Sequence, residues 1–507
     1  MLRKDFYLLG VLWVIVLFIF LPIFYSDYIY MDEILEVWQY NSIPGHQMFA
    51  DDGRLLAEVM HSWLFKQIDT MSQVKWFRLI SLFGWLLCLP VWYSVIKRVV
   101  AKVPAYEYLP FFICLYLVTS LPFLISVQWA TCMQFFIADT VALISGAAAL
   151  NCIQAQDIKK GKRIAAGLVS VALGLISLFF YQSAYACFLI PFLLHFINPF
   201  TQKKDRVLVL GLAFHLVVCG VYFVIFTTIL NIFYSDHIST RNVLYLHPIE
   251  KMEFFLTRPL ERSFRFTLLT DEESPVSAVY YQLMLATITV LAFIRFGIRK
   301  WLLAVKYLAA ILCVWLISYL PSLVTVESYA SNRTLMALNL CVFIVCLEMA
   351  LWFIKNKRVL QIAGIAMICF FTLCARYNFQ QLFLGPIVQE TALLKAYFKQ
   401  HFNSSIKTIH FIRTKEHYWV DNVPGFNRSM DEIGVASSTF LWVPVPLSKQ
   451  LIYELTGNRQ LADKINVKHW PNKEEYLKAH EVLDSSILVV DAPTILEATL
   501  PGKGPAK

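Results

Sequence analysis

"FYLLGVLWVIVLFIFLPIFY", residues 6–25, runs for twenty residues without a charge. A helix of that length rises about 30 Å, the depth of a bilayer's hydrocarbon core. The run is too long for the apolar region of a signal peptide and has no small-residue cleavage site, so it is expected to remain as an anchor. The pattern recurs along the chain. Of 507 residues, 58% are hydrophobic, 15% aromatic and only 16% charged, and the mean hydropathy is +0.58. Soluble globular domains do not have this composition. The expected fold class is a polytopic α-helical membrane protein with about eleven transmembrane helices. The expected spans are 5–25, 76–96, 108–126, 129–150, 164–180, 183–198, 207–230, 276–296, 302–324, 334–354 and 359–378. The fifth and sixth are short enough to pair as a tight hairpin.

The net charge of +9 suggests nucleic acid until the basic residues are located. They gather at 3–4, 97–98, 159–163, 203–206, 299–300 and 355–358. With eleven spans all of these fall on one side, the positive-inside pattern, which puts the N-terminus in the cytoplasm. The excess charge is a topology signal and no nucleic-acid partner is expected. The same count leaves 26–75, 231–275 and a tail from 379 on the outer side. The expected domains are therefore a membrane part, 1–378, with two outer loops, and an extracytoplasmic α/β domain, 379–507. In that tail "IKTIHFI" (406–412) and "SILVVDA" (486–492) read as strands, and "PLSKQLIYELTGN" (446–458) as a helix capped by Gly457. All eleven cysteines lie in or beside apolar spans, so no disulfide framework is expected.

The first outer loop is patterned. In "MDEILEVWQY" (31–40), Ile34, Leu35, Val37 and Trp38 recur at helical spacing, with Asp32 and Glu36 on the other face. "DDGRLLAEVMHSWLF" (51–65) is a second amphipathic piece with Asp51 or Asp52 as N-cap. Two helices along the membrane surface are the simplest expectation. Chemistry on a lipid-linked substrate belongs where membrane meets water, because a phosphate is costly to bury in hydrocarbon. Asp32 and Glu33 sit at that depth and suit a general base; solvated loop acids are the structural alternative. Arg54, Glu58 and His61 share a helix face, which an ordinary intrahelical ion pair explains. Arg258, Arg262 and Arg265 in "TRPLERSFRF" form a basic stripe able to grip a lipid phosphate or to rest on headgroups. Arg333 opens a late span, where an arginine and a helix N-terminus both favour a phosphate. Asp139 is an acid in mid-span and needs a polar cavity or a partner. Tyr181 and Gln182 stand at an outer turn and could close it by polar contacts. There is no Gly-rich phosphate loop, no Cys/His metal spacing, no HExxH and no GxSxG, and His195 and His215 read as core residues.

Four of these stretches together resemble the GtrII-type bacterial membrane glucosyltransferase family. They are Asp32-Glu33 followed by "DDGRLLAEV" with Gly53 and Arg54, "FFIADTVAL" with Asp139, the Tyr181-Gln182 pair, and Arg333. The family's Asp-Asp is Asp-Glu here, Glu36 stands where a basic residue is expected, and "SAYAC" lacks a polar residue usual after Tyr-Gln. The resemblance implies a GT-C-like architecture in the bacterial inner membrane, with a catalytic acid in the first outer loop and a periplasmic tail. It implies a polyprenyl-phosphate sugar, glucose, as donor, and a lipid-linked or surface glycan such as O-antigen as acceptor. It names no cofactor beyond that donor and leaves a divalent cation open. Asp32 would be the first choice of base and Glu33 the second, with the arginines stabilising the departing phosphate in an inverting displacement. A lipid-linked glycan flippase and a surface-polysaccharide polymerase are the competing expectations.

Overall fold

The computed structural model describes residues 3–100, 106–154, 160–199, 201, 203–233, 243–245, 247–269, 275–479 and 485–497. In chain order the helices are α1 (Arg3–Phe20), α2 (Asp32–Ser42), α3 (Leu55–Phe65), α4 (Lys75–Val100), α5 (Leu109–Thr119), α6 (Leu121–Gln128), α7 (Phe135–Gln154) and α8 (Lys160–Phe180). A 3-10 segment, Gln182–Leu189, leads into α9 (Ile190–Ile197), followed by α10 (Lys204–Phe233), α11 (Pro248–Thr257), α12 (Pro259–Phe264) and α13 (Pro275–Phe296). Then come α14 (Trp301–Ile317), α15 (Leu320–Leu323), α16 (Met336–Phe353), α17 (Lys357–Tyr377) and α18 (Gly385–His401). The C-terminal region adds β1 (Thr408–Ile412), α19 (Tyr418–Asn422), α20 (Pro444–Thr456), α21 (Arg459–Lys464), β2 (Asn466–Trp470), α22 (Lys473–Lys478), β3 (Ile487–Asp491) and α23 (Ala492–Glu497).

Nine helical stretches among the described residues are long and apolar enough to cross a membrane, and α5 with α6 makes a tenth if the pair, bent by 52°, is one span. The bend has a cause: Ser120 is extended and Pro122 enters the first turn of α6, where it has no N–H to continue the ladder. The expected span 183–198 takes a different form, a 3-10 segment of eight residues joined to an α-helix of eight. The 3-10 rise of about 2.0 Å per residue stretches these to about 28 Å, close to the length of an ordinary span. Its start contacts the first loop, where Gln182 donates to the Asp52 carbonyl at 2.6 Å, and its far end meets α7, where His195 and Gln154 are 2.9 Å apart. Gly146 of α7 makes this packing possible, since a Cβ there would overlap the Phe188 carbonyl.

The basic clusters gather at the end of the bundle away from the first loop. Lys97 reaches Asp5 at 2.6 Å, Lys4 reaches Glu107 at 2.6 Å and Lys306 reaches Asp205 at 2.7 Å. At the other end α17 does not stop at residue 378. It passes through a π-helical segment, Asn378–Leu384, into α18, and the whole rod has 45 residues. That is about 68 Å, twice a bilayer's apolar depth. Its exposed apolar residues, Ile362, Ile365, Phe370 and Leu373, end at Tyr377, and beyond them α18 carries the C-terminal sheet.

That sheet is parallel, in the order β2-β1-β3. β1 and β3 are the two strands expected from the sequence; β2 is an additional, polar edge strand. Gly457 caps α20 with φ +67, the left-handed conformation that favours glycine. The sheet shares one core with the first loop: Ile34, Val37 and Trp38 of α2 pack with Leu447, Leu451 and Ile452 of α20, Leu394 and Phe398 of α18, and Phe411 of β1. The apolar face of α2 is thus covered by protein, which corrects the expectation that this helix lies on the membrane surface.

Candidate functional site

The chain enters α2 through a strained residue. Met31 has φ +42, a conformation that costs on the order of 1–3 kcal/mol for a side chain of this kind and survives only where its surroundings fix it. They do. The Tyr30 amide donates to Glu33 at 2.8 Å, the Tyr30 hydroxyl donates to the Asp431 carbonyl at 2.5 Å, and the Met31 amide donates to the Ser437 hydroxyl at 3.3 Å. The two adjacent acids diverge from there. Glu33 is fully buried; it pairs with Arg78 and also accepts the Ala130 amide at 2.6 Å. Every oxygen of Glu33 is engaged, so it serves as a strut between α2, α4 and the segment before α7. Burial raises its pKa, against the pull of Arg78. Asp32 turns the other way, into a cavity of about 470 Å³.

The second wall is a clamp on the loop before α3. Gly53 has φ +81, and a Cβ there would overlap the Tyr222 hydroxyl, so the turn needs glycine. Gln182 holds it: its amide donates to the Asp52 carbonyl at 2.6 Å and to Tyr222 at 2.8 Å, and its oxygen accepts from Arg54 Nε at 3.2 Å. The Arg54 guanidinium lies 4.8 Å over the ring of Tyr181, which is itself stacked on Phe135 at 4.3 Å. Among the described residues no carboxylate stands within ion-pair distance of Arg54. The Gly-Arg and Tyr-Gln pairs, far apart in sequence, are therefore two halves of one structure.

Arg333 closes the third side. It lies 4.8 Å over Trp129, 3.4 Å from Asp431 and 3.6 Å from Glu432. Glu432 also accepts the amides of Asn332 at 2.7 Å and Arg333 at 3.0 Å. Burial opposes the charge on Arg333, but the two carboxylates outweigh it and hold its pKa well above the usual arginine range. Burial pushes Glu432 upward, against Arg333 and these amides. Asp32 is raised to about 6 by burial, with Glu36 and Asp431 adding to the rise and Arg333 opposing it. A carboxyl so placed titrates near working pH, the condition for an effective general base.

The cavity gathers Asp32, Arg54, Tyr181, Gln182 and Arg333 at its polar end. Leu216 and Phe223 of α10, together with Leu320 and Val324, form an apolar wall, and Leu216, Phe223 and Val324 are exposed on the outer surface of the bundle. The remaining sequence candidates lie elsewhere. Asp139 is buried one turn below Phe135 with Cys187 Sγ 3.4 Å from one oxygen, off the cavity. The arginine stripe is broken, because Pro259 ends one helix and begins the next. Arg258 is exposed, Arg262 donates to the Ala330 carbonyl and so steadies the segment carrying Arg333, and Arg265 pairs with Glu261 at 2.8 Å. Glu58 accepts the Met48 and Phe49 amides at 2.8 Å instead of pairing with Arg54.

Sequence inspection missed Asp431 and Glu432, although a signal was present. The tetrapeptide Met-Asp-Glu-Ile occurs at 31–34 and again at 430–433, and both methionines, Met31 and Met430, have positive φ. Each copy supplies an aspartate near the Arg333 guanidinium and a buried glutamate that receives backbone amides. Among the described residues no group of three or more His, Cys, Asp or Glu could hold a metal ion. What fold and site define together is a helical chain with many apolar spans and an acid-and-arginine cavity at one end. No family model, no curated protein and no solved structure matches it.

Proposed function

We propose that the chain is a membrane glycosyltransferase of the GT-C type, akin to the GtrII-type glucosyltransferases. It moves a sugar, glucose by that resemblance, from a polyprenyl phosphate to a surface glycan such as O-antigen on the outer face of the bacterial inner membrane. The observation that carries this reading is one cavity with Asp32 and the Arg54 guanidinium, which has no carboxylate partner among the described residues, at its polar end and a lipid-facing apolar wall along α10. A sugar–phosphate head fits the first and a prenyl tail the second. The separation of the basic clusters from this cavity supports an outward-facing site with the N-terminus inside.

In the proposed step the acceptor hydroxyl attacks the anomeric carbon as the bond to the phosphate oxygen breaks, and the leaving phosphate keeps the electron pair. Asp32 takes the hydroxyl proton. A phosphate leaves readily without a general acid, so the protein's task is to stabilise its charge. Arg54 suits that task best because, among the described residues, no carboxylate already answers its charge. Arg333, matched by Asp431 and Glu432, instead restrains the rise of the Asp32 pKa. A single displacement inverts the anomeric centre. Purified chain incubated with labelled polyprenyl-phosphate glucose and a surface-glycan acceptor tests this: label should move to the acceptor, and donor carried across vesicles intact would favour a flippase instead.

A further inference from the structure

One group at the edge of the cavity has no part in the step above. Gln134, buried just before α7, lines the cavity beside Asp32 and Thr131. Behind it stands a chain of two fully buried groups. His61 Nε2 lies 3.0 Å from Gln134 Oε1, and His61 Nδ1 lies 3.1 Å from Glu36 Oε2. The imidazole is held between aromatic rings, parallel to Phe65 at 5.8 Å and 4.7 Å from Phe49, so it has no freedom to turn away. Glu36 is the residue that departs from the family pattern, and the other Glu36 oxygen has no partner among the described residues.

The hydrogen-bond logic is restrictive. A carboxylate and an amide oxygen are both acceptors, so an imidazole between them completes both bonds only when it carries two protons. An imidazolium then fixes the Gln134 oxygen inward and presents the two N–H bonds of its amide to the cavity. A neutral ring, with its proton on the Glu36 side, accepts at Nε2 instead. The amide must turn half a revolution, and its oxygen then faces the cavity. We infer that Gln134 is a substrate-contacting residue whose donor or acceptor face is selected by the Glu36–His61 pair, and that the imidazolium form favours an anionic ligand. This rests on the proposed lipid-phosphate donor.

The charged and titratable surroundings are few. On α2 they are Glu36, Asp32 one turn earlier and Tyr40, whose hydroxyl donates to Glu58 at 3.2 Å. On α3 there is Glu58, occupied by loop amides, and His46 lies against Tyr40 at 5.3 Å. On α7 the nearest is Asp139, which faces Cys187. Among the described residues His61 is the basic group that pairs with Glu36.

The full-length chain in lipid nanodiscs, with polyprenyl monophosphate as probe, tests this by affinity across pH 5.5–8.5. The native chain should bind more weakly as pH rises. In an Asp32→Asn background, which removes the carboxyl that titrates in the same cavity, Gln134→Leu should bind about tenfold more weakly at low pH and lose the remaining pH dependence. In parallel, 15N spectra of histidine-labelled chain, with His61→Asn to assign the signal, should give a doubly protonated His61 that becomes neutral in Glu36→Gln. A Gln134→Leu, Asp32→Asn chain that keeps the pH profile of Asp32→Asn overturns the inference while leaving the donor reading intact, as does a neutral His61 at pH 6 in the native chain. A native chain that binds no polyprenyl phosphate at any pH overturns both.

Discussion

Replacing Asp32 by Asn should abolish transfer and yet make the protein more stable. The folded chain raises this carboxyl from 3.8 to about 6, so ionising it in place is unfavourable. A displacement of that size corresponds to about 3 kcal/mol against the charged form. Asp32 is only half-buried, and solvent screening reduces the figure to about 1–2 kcal/mol. The sign follows from linkage: an acid whose folded pKa lies above its unfolded value loses stability as pH rises between the two. Above pH 6 the native protein bears the whole penalty and the Asn variant none. Below pH 4 both carry an uncharged side chain. At pH 7.5 the variant should therefore melt roughly 1–2 °C higher, given an unfolding entropy of about 1 kcal/mol per degree for a chain this size, and the two should coincide at pH 4. Thermal unfolding in detergent at both pH values, beside a transfer assay, measures this. An Asn variant that melts lower at pH 7.5, or higher by the same amount at pH 4, would refute the claim that this acid is kept at a cost for its chemistry.

Other outcomes follow from the same geometry. Glu33→Gln should cost about 3–5 kcal/mol, because it leaves Arg78 buried without its counter-charge, and the loss should appear as poor yield and early melting. Gly53→Ala should displace the loop that presents Arg54, raise KM for the donor at least tenfold and lower the melting temperature as well, because the added Cβ at this buried, positive-φ position meets Tyr222 and Phe226. Arg54→Lys should also weaken donor binding, since a lysine cannot keep both the Gln182 contact and a forked grip on phosphate, whereas Arg258→Ala should leave kinetics unchanged. Transfer by the native chain should fall about tenfold per pH unit below about 6, as Asp32 becomes protonated.

How much of this the sequence carried depended on the range of the interaction. Local signals read through: the uncharged run 6–25, the apolar periodicity of α2, the left-handed cap at Gly457 and the short apolar runs that form strands at 408–412 and 487–491 each rest on near neighbours. Asp32 and Arg333 stand out as residue types at special positions, whereas Arg54, Tyr181 and Gln182 are singled out by the family resemblance alone; all five line one cavity. Their partners were not legible. Arg78 in "KWFRLI" looks like an interfacial anchor until Glu33, 45 residues away, is seen against it. Glu432 reaches Arg333 across 99 residues, and nothing in helical periodicity points to a contact made by a different region of the chain. The arginine stripe failed for a local reason that was visible: Pro259 interrupts the helix that would have aligned it.

The most direct test of the central claim uses reconstituted chain, polyprenyl-phosphate glucose labelled in the sugar, and a lipid-linked surface glycan, with the product anomer read by NMR. Label should reach the acceptor with the anomeric configuration inverted, and the Asp32→Asn chain, folded and melting no lower than native, should transfer none. Label left on the donor by the native chain, or transfer at the native rate by the Asn variant, would contradict that claim.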